Sequence, residues 1–157
     1  MTNTSELPIH IIYASTSGNT EYVMDMVAQL WREKGKKVIL HRSEKTDISV
    51  VKDNHNFLLA TSTWDHGTIN PFFDVLLAKI NKTNLTGKKS AFIGLGDRRY
   101  EKHFFCSGMT LLKEVWEKNG GESTGVALTI GREPYDDAIA KLVSDWAETT
   151  LRLFDEN

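Results

Sequence analysis

A chain of 157 residues, 40% of them hydrophobic, has the size of one globular unit, and residues 1–157 are expected to form one domain. A net charge of −2 and a pI near 6.2 exclude the basic field that nucleic acid or an anionic membrane surface demands, and no apolar run approaches the ~20 residues of a membrane span. The single cysteine, Cys106, excludes an internal disulfide framework, and the polar opening MTNTSELP lacks the order of a signal peptide, so the cytoplasm is the expected address.

Ile9, Ile11 and Ile12 predict a buried strand, and Val23, Val27, Leu30 and Trp31 recur after it at helical spacing. Between them, Tyr13-Ala14-Ser15-Thr16-Ser17-Gly18-Asn19-Thr20 is a strand-to-helix turn. Such a turn aims free backbone N–H groups and the positive end of a helix dipole at whatever lies in front of it. A plain cap needs one hydroxyl, from Ser17 or Thr20. Four hydroxyl residues and Asn19 around one glycine point instead to a phosphate cradle.

Gly35 ends that helix, Val38, Ile39 and Leu40 make a second strand, and the following SEKTDISVVKDNH is polar and patternless. Phe57 to Ala60 predict a third strand, ending in a loop at Thr61-Ser62-Thr63-Trp64-Asp65-His66-Gly67. Asn70 and Pro71 then start a helix as cap and first position, with Phe72, Phe73, Leu76, Leu77 and Ile80 facing inward. Residues 90–95 form a fourth strand that stops at Gly96-Asp97. Met109, Leu112, Val115 and Trp116 mark a helix closed by Asn119-Gly120-Gly121, and Val126, Leu128 and Ile130 alternate as a fifth strand. Pro134 is expected to open the last helix, with Asp136 and Asp137 in its first turn and Ile139, Leu142, Val143, Trp146 and Leu153 on its apolar face.

Strands alternating with helices predict an open, doubly wound α/β fold with a parallel sheet covered on both faces. Ligands in such sheets sit beyond the carboxyl ends of the strands, where the three unusual loops follow strands one, three and four. Trp64 and Tyr100 each sit in polar company in one of those loops. A phosphate at one end and two rings at the other suit a flat aromatic ligand held by stacking.

These three ordered motifs, STSGNT, STWDHG and GLGDRRYEKHFFCSG, resemble the flavodoxin family along nearly the whole chain. The resemblance implies a flavodoxin-like five-stranded parallel sheet in the order 2-1-3-4-5 and FMN as cofactor. By carry-over, Ser15, Thr16, Ser17, Gly18, Asn19 and Thr20 bind the phosphate, and Trp64 and Tyr100 stack on the flavin. Asp97 and Cys106 lie beside its pyrimidine end, while Ser62, Thr63, Asp65, His66, Gly67, Gly96 and Phe105 complete the two flavin loops. The chain resembles the short-chain branch, since no insertion is expected to split the fifth strand. The implied role is a low-potential one-electron carrier, a monomer rather than an enzyme. It would run from a flavin or NADPH-linked reductase to an acceptor oxidoreductase. The alternative is a dedicated activator or biosynthetic partner of one enzyme.

Other chemistries fit poorly. No arginine follows Cys106 at the spacing of a cysteine phosphatase loop, and an inert thiol is the better reading. His10, His41, His55, His66 and His103 are scattered without zinc spacing, so no metal is expected. Ala14-Ser15 and Ser62-Thr63 stand where a signalling receiver needs carboxylates. Two departures from the family stand out. Asp65 follows Trp64 where short-chain relatives often carry glycine. The Asp65-His66 peptide, which in the family turns toward reduced flavin N5, should therefore turn less readily. Arg98, Arg99, Lys102 and His103 surround Tyr100, predicting a mixed rather than acidic docking face.

Overall fold

The computed structural model describes residues 7–64, 68–96, 107–131 and 134–156. Strand β1 (Ile9–Ala14) is buried at every position, as a central strand covered on both faces must be. It leads into α1 (Asn19–Glu33) and β2 (Val38–Arg42), which pairs with β1 in parallel. On the other side of β1 runs β3 (Asn56–Trp64), followed by the two-residue β4 (Thr68–Ile69), α3 (Asp74–Ile80) and β5 (Lys89–Leu95). Then come α4 (Ser107–Lys118), the short β6 (Glu122–Ser123) and β7 (Leu128–Ile130), and α5 (Asp137–Asp155). The sheet runs β2-β1-β3-β5, and both β6 and β7 pair in parallel with β5. With β5 as the fourth strand and β6 with β7 as the fifth, this is the expected 2-1-3-4-5 order.

Each face of the sheet carries its own core. Ile9, Ile11 and Tyr13 meet Val23, Val27 and Trp31 of α1 and Val143, Ala147 and Phe154 of α5. The indole Nε1 of Trp31 donates to the Ala147 carbonyl at 2.9 Å, so this buried polar atom is satisfied. On the opposite face Ile12, Phe57, Leu59 and Phe92 pack against Leu76 and Ile80 of α3 and Leu112 and Trp116 of α4. The alternation along β1 therefore assigns α1 and α5 to one side and α3 and α4 to the other.

Several local expectations change. The segment read as patternless contains a 3-10 turn at Ser43–Lys45 and a helix α2 (Ile48–Lys52) capped by Asp47, too short to display a period. The third strand does not stop at Ala60 but continues to Trp64, because Thr61 pairs with Gly94, Ser62 with Leu95, Thr63 with Ile69 and Trp64 with Thr68. The fifth strand comes in two short pieces only four residues apart, with no long insertion between them, while Gly125 takes φ 71° and Val126, expected to alternate inward, is 80% exposed. Pro134 lies in a turn, and α5 begins later, with the Asp136 side chain accepting from the Ala138 N–H. Phe72 and Leu142 are exposed rather than inward, while Ala147, Leu151 and Phe154 complete the buried stripe of α5.

Candidate functional site

Ala14, Thr61 and Gly94 lie side by side in the registers of β1, β3 and β5. The loops after the first and fourth strands leave from just past this row, whereas β3 runs three residues further before it turns. All three thus emerge at one end of the sheet, at the point where strand order reverses.

After β1 the chain makes a tight turn into α1. Gly18 occupies the N-cap position with φ 91°, a left-handed conformation that suits glycine, and a β-carbon there would meet only open space. Neither Ser17 nor Thr20 caps the helix. Instead the buried Ser15 Oγ accepts the N–H groups of Gly18 at 3.1 Å and Glu21 at 3.4 Å, bracing the loop from within and leaving its own proton to donate. The N–H groups of Thr16, Ser17, Asn19 and Thr20 have no acceptor among the described residues. Unpartnered N–H groups at the positive end of a fifteen-residue helix fit an anion such as a phosphate.

Two residues that the motif did not include hold this loop. Arg42, the last residue of β2, donates through Nη2 to the Ser15 carbonyl at 2.7 Å. Its Nη1 and Nε bind Glu21 at 2.9 Å and Glu44 at 2.6 Å, and its guanidinium lies 5.6 Å from the centre of the Tyr13 ring. The bond to Glu44 pushes the guanidinium pKa up, and burial pushes the Tyr13 phenol up. From the other side the Tyr135 hydroxyl donates to Asn19 Oδ1 at 3.1 Å while its ring meets Tyr22 edge-on at 4.7 Å. No spacing rule finds either residue, because each reaches the loop across the fold.

The base of the second loop is equally fixed. Thr63 pairs antiparallel with Ile69 and Trp64 with Thr68, so only 65–67 lie between the paired ends. Buried Asn70 both caps the following 3-10 turn, its Oδ1 accepting from Phe72 N–H, and donates Nδ2 to Ser62 Oγ, each at 2.9 Å. Thr63 Oγ1 accepts the N–H of Gly108 at the start of α4. At the third loop, Gly96 donates to the Ile130 carbonyl at 2.9 Å. Trp64 is placed by its backbone alone. Asp65, His66, Gly67, Asp97, Tyr100, Phe105 and Cys106 lie outside the described residues, as do Arg98, Arg99, Lys102 and His103. Among the described residues no cluster of three or more His, Cys, Asp or Glu side chains is arranged to hold a metal ion.

A doubly wound parallel sheet with a turn of unpartnered N–H groups after its first strand, and two further loops leaving the same end, is the architecture of a mononucleotide-binding α/β protein. The family model for flavodoxin matches residues 11–146. The chain is 31% identical over 143 residues to the flavodoxin of Maridesulfovibrio salexigens, covering 88% of this chain and 95% of that one. It superposes on oxidised flavodoxin 2 from Bacillus cereus with a TM-score of 0.87 at 28% identity, covering 92% and 98% of the two chains. Flavodoxin from Fusobacterium nucleatum, solved bound to flavin mononucleotide, shares the fold with a TM-score of 0.76 at 20% identity, covering 91% of this chain and 96% of that one. The chain belongs to the flavodoxin family, whose members are FMN-carrying electron-transfer flavoproteins and not enzymes.

Proposed function

We propose that this chain carries single electrons at low potential on FMN, between a flavin or NADPH-linked reductase and acceptor oxidoreductases, as a cytoplasmic monomer of one domain. The observation that carries this reading is the set of N–H groups of Thr16, Ser17, Asn19 and Thr20 at the start of α1, without acceptors among the described residues and with no lysine or arginine among residues 15–20. Thr16, Ser17, Asn19 and Thr20 would hold the phosphate through backbone N–H groups and hydroxyls, with the Ser15 hydroxyl donating alongside. Such a site binds without a direct salt bridge, so affinity depends on the loop being shaped before the ligand arrives.

FMN supplies reversible one-electron chemistry when bound. The protein's part is to position and to exclude water. The β3–β4 pairing and the Asn70–Ser62 bond fix both ends of the Trp64 loop, and the Gly108–Thr63 bond ties that loop to α4. Trp64 and Tyr100 are assigned to the two faces of the flavin by residue type and loop position. Desolvation by two rings disfavours added negative charge, which supports a low second one-electron potential.

The test is uptake of flavin by the purified apoprotein, followed by stepwise reduction. Binding of one FMN per chain and two resolved one-electron waves are expected. A protein that takes up no FMN overturns the proposal. Against several redox partners, a carrier should reduce many, whereas reduction of only one would favour the dedicated-partner alternative.

A further inference from the structure

Arg42 has no place in the phosphate motif and stands 22 residues beyond its last member, yet its guanidinium is bonded to the motif's first residue. We infer that Arg42 orients the peptide between Ser15 and Thr16, so that the Thr16 N–H faces the flavin phosphate, and that it thereby sets the loop's preference for a phosphorylated flavin. The inference rests on the FMN reading above and adds a positioning residue to it.

The argument begins with peptide geometry. The Ser15–Thr16 bond is trans, and in a planar trans peptide the carbonyl oxygen and the following N–H point in opposite directions. Nη2 of Arg42 holds the Ser15 oxygen at 2.7 Å, so the Thr16 N–H is aimed away from Arg42. A charged donor on the carbonyl also polarises the peptide and makes that N–H a stronger donor. The Gly18 and Glu21 N–H groups are already taken by Ser15 Oγ, which makes the aim of Thr16 matter more.

The arginine is itself immobilised. β2 places it in register with Tyr13, and its remaining nitrogens are fixed by Glu21 and Glu44. A guanidinium offers several donors in a rigid fork, which a lysine cannot reproduce. Because two carboxylates share its charge, Arg42 acts by orienting the peptide rather than as the phosphate's counter-ion. Its effect should therefore follow the phosphate and not the isoalloxazine ring.

The experiment titrates apoprotein with FMN and, separately, with riboflavin, which has the same ring system and no phosphate. Quenching of flavin fluorescence reports the affinity of each. Arg42→Gln should weaken FMN roughly tenfold while leaving riboflavin within about twofold of wild type, and should shift the 31P resonance of bound FMN. Arg42→Lys, which keeps the charge but not the three-way fork, should show a smaller loss with the same selectivity. It carries the test alone if the glutamine variant fails to unfold cooperatively. Equal loss for the two flavins, or no loss for either, overturns the inference. A wild-type protein that binds neither flavin overturns the FMN reading and this inference with it.

Discussion

A β-carbon added to Gly108 would stand 3.3 Å from the Ser62 carbonyl oxygen and 3.3 Å from the Ile69 α-carbon, so the first turn of α4 is pressed against the strand that carries Trp64. Both neighbours are backbone and yield little. Gly108→Ala should therefore destabilise the protein: overpacking costs about 1–3 kcal/mol, against at most about 1 kcal/mol from better helix propensity. Urea unfolding measures the loss. Flavin affinity should fall with it, because the displaced backbone is the base of the second loop. A gain in stability would show that the helix start can shift freely.

Asn70 tests how far that base depends on one side chain. Asn70→Ala removes a cap and leaves Ser62 Oγ without its donor, for a cost of about 2–3 kcal/mol at a fully buried position. Asn70→Ser retains an acceptor that can cap but is too short to reach Ser62, and should recover about half of that loss. Thermal unfolding of both variants separates the two bonds.

Tyr135 bonds to Asn19 from an exposed position, so its hydroxyl should matter little to the empty fold. Tyr135→Phe keeps the ring against Tyr22 and should leave apoprotein stability within about 0.5 kcal/mol of wild type. FMN affinity should fall about two- to fivefold through loss of one positioning bond. Parallel apo and holo melting curves read both effects.

The pH dependence of stability should centre on His10 and His41. His10 Nδ1 and His41 Nε2 lie 2.8 Å apart, their rings are within 17° of parallel, and the buried His10 Nε2 has no hydrogen-bond partner within bonding distance among the described residues. Burial first, and then the neighbouring His41, holds His10 below the ordinary histidine value of 6.5, with Lys37 acting in the same direction and Asn54 against it. Burial likewise lowers His41. The unfolded chain then binds more protons than the folded one below 6.5, so this contribution is fully present above 6.5 and is lost as pH falls from there. His41→Gln keeps a hydrogen-bonding partner and removes one titrating group. It should flatten the fall in unfolding free energy between about pH 7 and pH 5, and an unchanged slope would clear the pair of the effect.

Much of the fold could be read from local pattern. Ile9 to Ile12, the helical recurrence from Val23 to Trp31, and the Asn70-Pro71 start all announce themselves, because burial on a strand or one helical face imposes its period on the residue order. The tight turn into α1 is legible for a related reason, since Gly18 and its hydroxyl neighbours are adjacent in the chain. The signal fails where a segment is too short to repeat its period, as in α2, or where a partner from elsewhere decides the outcome. Thr61 and Ser62 become strand because β1 and β5 lie alongside, and Val126 faces outward where Gly125 bends the chain between β6 and β7.

By itself, then, the sequence determined the class of fold and the tight turn at Gly18 between β1 and α1. Tertiary structure decided what shapes the loop. Arg42 and Tyr135 reach Ser15 and Asn19 across separations of 27 and 116 residues, and hydrogen bonds at such separations leave no periodic trace in the chain that forms them.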